Sequence, residues 1–303
     1  MVPAGKETSQ VILVMGAEGM LGRSLCPGLA AAGYRVIRQS RRVGADICFD
    51  PLDEVAVRSA IADHRPDAVI NLIAESSVDI CQTDMRQAYR ANVRVVETLV
   101  SAIAFSAPSA HLVHISTDHL YDGQGPHVES ATLPINAYAL TKHAGELVAM
   151  RIGGTIMRTN FFGRSRSEKR HSFSDWIVST LKRGETLTAF KDVRFSAMHM
   201  DTLTRCVAQA IRQRHAGVFN VGSKNGISKS DFAIQLAQGL DLDLQLIRIG
   251  SVRDVELAAP RPSDMTLDVS AFESRFDIAL PSIENEISLA VKEYQERKIG
   301  TTI

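Results

Sequence analysis

Val11-Ile-Leu-Val-Met-Gly16-Ala-Glu-Gly19-Met-Leu-Gly22 is the stretch that decides the fold. A short β-rich run ends at Gly16, and a helical pattern opens directly behind the glycines. In such a strand–turn–helix, one glycine permits the tight turn, one lets backbone approach a pyrophosphate, and one lets the helix pack on the sheet. The helix start adds unpaired N–H groups and a partial positive charge. The plainer role is a connecting turn, but the strand before and the helix behind favour a dinucleotide phosphate. No other three glycines in the chain share this spacing.

Outward from this loop, strand-like and helix-like segments alternate. The pattern predicts strands over 34–39, 46–49, 67–74, 110–117 and 154–157, and helices over 20–32, 52–64, 83–105 and 135–150. Runs such as Asp67-Ala-Val-Ile-Asn-Leu-Ile-Ala74 are nearly all apolar, as for strands buried on both faces. Strand–helix alternation of this kind implies a Rossmann-like, doubly wound parallel sheet with right-handed crossovers. Beyond Arg158 the pattern becomes irregular, with helices expected over 173–183, 201–214, 229–239 and 282–298 and a strand over 218–221. The expected division is a dinucleotide-binding domain of 1–160 plus 195–225, and a smaller C-terminal substrate-binding α/β domain of 161–194 and 226–303.

The chain has 303 residues, with 34 basic and 34 acidic side chains. That balance argues against nucleic acid as a partner, since such binders carry a basic excess. The apolar runs fall far short of the ~20 residues that cross a membrane, and residues 1–10 lack the basic start and apolar centre of a signal peptide. Four scattered cysteines without a Cys-x-x-Cys pair suit a reducing compartment. The expectation is a cytoplasmic protein.

Two further features refine the chemistry. The second strand runs into Ser40-Arg41-Arg42 with no acid before Asp46. Arginine there suits a 2′-phosphate, where an acid would suit the ribose hydroxyls of NAD. NADPH is therefore the expected cofactor, with NADH as the alternative. Asp50 is placed for the adenine edge, or else caps the turn before Pro51 and Leu52. Tyr138-Ala-Leu-Thr-Lys142 then sets a phenol and an ammonium on one helix face. A neighbouring cation lowers the acidity threshold of the phenol, which can then protonate a carbonyl oxygen as hydride reaches its carbon. Thr117, ending the preceding strand, is placed to hold that oxygen. The same spacing recurs in Tyr294-Gln-Glu-Arg-Lys298, where a packed Tyr294 and a solvated Lys298 are expected.

At these residues the chain resembles the dTDP-4-dehydrorhamnose reductase family of the extended short-chain dehydrogenases/reductases. The matching stretches are GAEGMLG (16–22), NLIAESSVDICQ (71–82), RANV (91–94), HISTDHLYDG (114–123), PINAYALTKHAGE (134–146), MRTNFFG (157–163), GVFNVGS (217–223) and RPSDMTLD (261–268). The resemblance implies reduction of the 4-keto group of a nucleotide-linked 6-deoxysugar, giving dTDP-L-rhamnose. It makes Thr117, Tyr138 and Lys142 catalytic. It assigns Gly16, Gly19, Met20, Leu21 and Gly22 to the pyrophosphate, and Leu72, Ile73 and Ala74 to the adenosine side. Ser76, Val78, Asp118, Asn160 and Phe161 fall on the sugar side, and Arg261 where relatives touch the diphosphate. His119 stands where the family has an aromatic residue after Ser-Thr-Asp, the tryptophan common near Asn160 and Phe161 is absent, and Phe195-Ser-Ala-Met-His199 replaces a Gly-x-Pro-Thr stretch. Ser24 occupies the position of the glutamate that holds a bridging metal in some members, so no metal is expected.

Three other readings compete with the reductase. A 4,6-dehydratase needs an acid where His119 stands, and a 4-epimerase typically lacks Asp118. A non-catalytic NADP-binding regulatory subunit, of the methionine adenosyltransferase β type, would keep the same fold. The expected partner is a nucleotide-sugar substrate, and the helices over 83–105 and 135–150 offer a four-helix homodimer interface. His111 and His114 point to opposite strand faces and are expected as ordinary strand residues, and the basic stretch 164–171 is either a diphosphate clamp, a lid or a solvated loop.

Overall fold

A computed structural model describes residues 9–167 and 170–296. Its centre is a seven-stranded parallel sheet of β1 (Val11–Met15), β2 (Arg35–Ser40), β3 (Ile47–Cys48), β4 (Ala68–Asn71), β5 (His111–Ile115), β6 (Thr155–Thr159) and β7 (Gly217–Val221). The strands lie in the order β7-β6-β5-β4-β1-β2-β3, so the winding direction reverses between β1 and β4. Ligands of open α/β sheets bind at such a switch point, beyond the carboxyl ends of the strands. The register sets Met15 beside Asn71 and Asn71 beside His114. The loops leaving β1, β4 and β5 therefore emerge together on one edge.

The period-two geometry of β1 divides its side chains between two cores. Ile12 and Val14 pack with α1 (Met20–Ala31) and the later helix α8 (Met200–Gln213). Leu13 and Met15 pack on the opposite face with α2 (Glu54–His64) and α5 (Val95–Ser106). All four are fully buried, at about 1.5–3 kcal/mol of transfer energy each.

The helix expected over 83–105 is several pieces. Here α3 (Val78–Thr83) ends at Asp84, whose carboxylate accepts the Gln87 N–H at 2.9 Å and opens α4 (Met85–Tyr89). Residues Arg90–Arg94 then form a π-helical turn before α5. Such widened turns cluster at functional sites, and this one swings Asn92 inward. Its side chain accepts from Glu75 N at 2.9 Å and donates to Glu75 O and Thr141 Oγ1 at 3.2 and 3.0 Å. The chain leaving β4 is thereby fastened to α6 (Ala137–Met150).

A second core gathers Phe162, α7 (Phe173–Lys182), α9 (Lys229–Gly239) and α11 (Ile283–Glu296) around Phe195 and Phe232. Short strand pairs line it, among them Leu187–Phe190 with Ile247–Gly250. One segment expected in the smaller unit, α10 (Ser270–Phe276), packs instead on the large sheet, where Phe272 and Phe276 meet Phe219 of β7. Lys298 lies outside the described residues. Tyr294 is packed as expected, and its hydroxyl donates to Asp175 Oδ1 at 2.7 Å. His111 bonds Thr155 Oγ1 at 2.7 Å and His114 bonds Asn71 Nδ2 at 3.1 Å, so the two rings diverge. Among the described residues no helix is long and apolar enough to cross a membrane.

Candidate active site

The glycine loop forms where β1 meets α1. Gly16 takes φ +79°, a backbone that side chains rarely adopt, and a Cβ there would press on Ile73 at 3.0 Å. Gly22 is needed for a different reason: its Cβ would overlap the Ala17 backbone, so α1 could not close on the loop. Gly19 caps α1 without a side-chain hydrogen bond, and no acid sits in the first turn. The N-terminal amides are thus left to an outside anion. Gln39, which the sequence did not single out, fixes the loop: its side chain accepts Gly16 N–H at 3.1 Å and its carbonyl accepts Ala17 N–H at 2.9 Å. Leu21 turns inward to the core while Met20 is half-buried, so Leu21 offers the loop backbone rather than its side chain.

Leu72, Ile73 and Ala74 leave β4 half-buried beside this loop. Arg41 and Arg42 are exposed past the end of β2, with no side-chain hydrogen bond or ion pair among the described residues. The nearest acid, Asp46, is already engaged by Arg38 at 2.9 Å. Asp50 is exposed after β3, and its Oδ1 accepts Leu52 N–H at 3.0 Å, so it does close the turn.

Thr117, Tyr138 and Lys142 gather where the chain leaves β5 and opens α6. Thr117 follows β5 and is buried, with its Oγ1 accepting His119 N–H at 3.2 Å. Asn136 caps α6 by accepting Ala139 N–H at 2.8 Å, which places Tyr138 in the first turn and Lys142 one turn on. Lys142 Nζ donates to the Ile115 carbonyl at 2.7 Å, and burial pushes its pKa down to about 8. Burial pushes the Tyr138 phenol above its ordinary value, with Asp118 adding in the same direction. The opposing influence is a hydrogen bond from the Thr117 side chain. This corrects the expectation that Lys142 pulls the phenol down: its ammonium is committed to Ile115 and does not act on Tyr138 here. The phenol is consequently fully protonated at neutral pH, which is the form a proton donor must have.

Beneath the trio lies a buried polar network. Arg158 grips Glu146 through Nε at 3.0 Å and Nη2 at 2.7 Å, and donates through Nη1 to Tyr121 Oη at 2.7 Å. Ser116 donates its hydroxyl to the same Glu146. Against burial, the bond from His143 at 3.3 Å together with Arg158 and Ser116 holds the Glu146 carboxyl down at about 2, and that negative charge favours the ammonium of Lys142. Glu146 lies one helical turn beyond Lys142, a spacing through which sequence could have found it.

Next to the trio, buried Asp118 accepts from Asn160 Nδ2 at 2.8 Å, and burial pushes its carboxyl up to about 6. The His119 ring meets the Tyr138 ring edge-on at 5.5 Å, and burial lowers its pKa to about 3. Val78 packs against Tyr138, while Phe161 packs into the large core. Ser76 is exposed and accepts from Arg170 at 3.2 Å. Arg261 pairs with Asp79 at 2.8 Å and donates to Ala259 O at 2.9 Å.

A switch-point glycine loop facing a Thr–Tyr–Lys trio is the arrangement of a short-chain dehydrogenase/reductase. Residues 10–296 match the family model of the RmlD substrate binding domain, and the chain belongs to that family. The spore coat polysaccharide biosynthesis protein SpsK of Bacillus subtilis is 28% identical, with 86% of this chain and 90% of that protein covered. The dTDP-4-dehydrorhamnose reductase of Salmonella typhimurium is 27% identical, covering 96% and 99%. A crystal structure of dTDP-4-dehydrorhamnose reductase from Bacillus anthracis in complex with NADP superposes with a TM-score of 0.86 at 21% identity, over 94% of this chain and 100% of that one.

Proposed function

We propose that this protein uses NADPH to reduce the 4-keto group of a nucleotide-linked 6-deoxysugar, with dTDP-4-dehydrorhamnose as the specific substrate. The observation that carries the reading is a protonated, buried Tyr138 beside Thr117 and Lys142, at the same sheet edge as the glycine loop. The cradle fits a dinucleotide, since a side chain at Gly16 would fill it and the α1 amides are uncapped. Gly16, Gly19, Met20, Leu21 and Gly22 would hold the pyrophosphate, Leu72, Ile73 and Ala74 the adenosine side, Asp50 the adenine edge, and Arg41 and Arg42 the 2′-phosphate. Bound there, a reduced nicotinamide supplies the hydride.

The chain's own residues handle the proton. Thr117 holds the ketone oxygen, and Tyr138 gives its phenolic proton to that oxygen as the carbonyl carbon is reduced. Lys142, rigid against Ile115, orients the nicotinamide ribose. Ser76, Val78, Asp118, Asn160 and Phe161 face the sugar, and Arg261 the diphosphate. His119 is uncharged at neutral pH, so it does not replace the acid that a dehydratase needs. Exposed Leu140, Leu147 and Met150 on α6 support pairing of two copies through that helix.

A panel of 4-keto nucleotide sugars with NADPH, followed by identification of the product, tests the reading. Oxidation of NADPH with formation of the 4-hydroxy sugar supports it. Tight NADPH binding without turnover on any member would favour the regulatory-subunit alternative.

A further inference from the structure

Lys229 opens α9, and the chemistry above leaves it without a task. Its ammonium lies 5.4 Å over the Phe173 ring and has no hydrogen bond or ion pair among the described residues. Three features make that position unfavourable on its own account. The side chain is half-buried, it stands at the positive end of a helix, and Arg261 is near enough to repel it. Its contact with the Phe173 ring leaves the N–H groups without an acceptor, so the ammonium is set to meet an anion from outside.

The groups around Lys229 narrow that anion. Asp118 and His119, from the loop after β5, both feel its charge. Among the described residues Asp118 is the acid acting on Lys229, and it is buried and already accepts from Asn160. The carboxylate of Asp79 is drawn to Arg261 at 2.8 Å. His119 Nδ1 is buried with no hydrogen-bond partner, and its ring touches Tyr138. Asp118, His119 and Asn160 therefore offer neutral or accepting groups suited to sugar hydroxyls next to the proton donor. Beyond them stand two cations on separate segments, Lys229 from the start of α9 and Arg261 from the 260s loop. Lys229 has no acceptor for its N–H groups and Arg261 holds one half-exposed carboxylate, that of Asp79, so the two charges match the doubly charged bridge of a nucleoside diphosphate.

We propose that Lys229 is a phosphate ligand, which together with Arg261 grips the diphosphate of the nucleotide sugar and so measures its distance from Tyr138. The proposal rests on the nucleotide-sugar reading above. It adds a residue that the resemblance did not assign and gives the smaller unit a direct role in substrate selection.

Calorimetric titration of the NADP-loaded protein tests it, with dTDP, UDP and thymidine as probes. Lys229→Met should weaken dTDP and UDP at least tenfold and leave thymidine unchanged. NADP affinity should stay within twofold, and Lys229→Arg should recover most of the loss. Added salt should weaken dTDP on the wild type more than on Lys229→Met. Equal dTDP affinity in wild type and Lys229→Met would overturn the role of Lys229 and leave the nucleotide-sugar reading standing. Loss of NADP and thymidine together with dTDP would also overturn it, by showing that Lys229 supports the fold. Failure of the wild type to bind either diphosphate would sink this proposal and the nucleotide-sugar reading together.

Discussion

Replacing Lys142 with methionine should leave the protein more stable and nearly inactive. The ammonium is 2% exposed and its one hydrogen bond goes to the Ile115 carbonyl. Lowering its pKa from 10.5 to about 8 corresponds to about 3 kcal/mol against folding with that charge, at about 1.4 kcal/mol per tenfold change in proton affinity. Methionine keeps much of the stem's packing and removes the charge. Loss of the bond to Ile115 returns about 1 kcal/mol, so the variant should gain about 2 kcal/mol at pH 7. The sign of the pH dependence follows from the same shift. Between about 8 and 10.5 the unfolded chain binds the proton more readily than the folded one, so wild-type stability rises with pH through this window. The variant's advantage should be full below about 8, be gone near pH 9.5 and become a deficit of about 1 kcal/mol above 10.5. Urea titrations at pH 7 and pH 9.5 read this directly, with the advantage expected to shrink by about 2 kcal/mol between them. A variant less stable than wild type at pH 7, or an advantage unchanged at pH 9.5, would refute the reasoning.

The other predictions concern the cofactor and the network beneath it. Arg41→Ala should weaken NADPH about tenfold and NADH little, as for loss of a charge-assisted contact to a 2′-phosphate; equal weakening in fluorescence titrations would remove that assignment. Gly22→Ala forces its Cβ into the Ala17 backbone and should cost roughly 1–3 kcal/mol, with lost NADPH affinity, both seen by thermal melts with and without cofactor. Arg158→Met leaves the buried Glu146 carboxylate without its bidentate partner and should cost about 3–5 kcal/mol. Adding Glu146→Gln should recover part of that loss, as a double-mutant cycle would show.

Most of the large sheet was legible in the chain. The apolar runs over 11–15, 67–74 and 110–117 have no polar face, which only strands covered on both sides tolerate, and the glycine spacing marked the switch point. The breaks at Asp84 and the π-helical turn over 90–94 were hidden because the apolar stripe through Ala88, Ala91 and Val95 continues across them. The inserted residue turns the helix by about 100°, so Ala88 packs beside Tyr138 while Val95 packs on the sheet. Spacing and order anticipate that Tyr138, Lys142 and Thr117 lie together, but not the direction of the phenol's shift. Spacing says that a lysine is near, whereas the Ile115 carbonyl decides where its ammonium goes. Lys229 carried no signal at all, since its meaning comes from Phe173, Asp118 and Arg261, each distant in sequence. Gln39 was missed for the same reason, because its bonds to Gly16 and Ala17 arise only when β1 and β2 pair.

Single-turnover reduction of dTDP-4-dehydrorhamnose with NADPH deuterated at the transferring position of the nicotinamide tests the central claim most directly, run on wild type and Tyr138→Phe. The deuterium should arrive at C4 of the sugar, and the phenylalanine variant should transfer it about a hundredfold to ten-thousandfold more slowly with NADPH affinity unchanged. Transfer at the wild-type rate in the variant, or deuterium at any other carbon, would contradict the account.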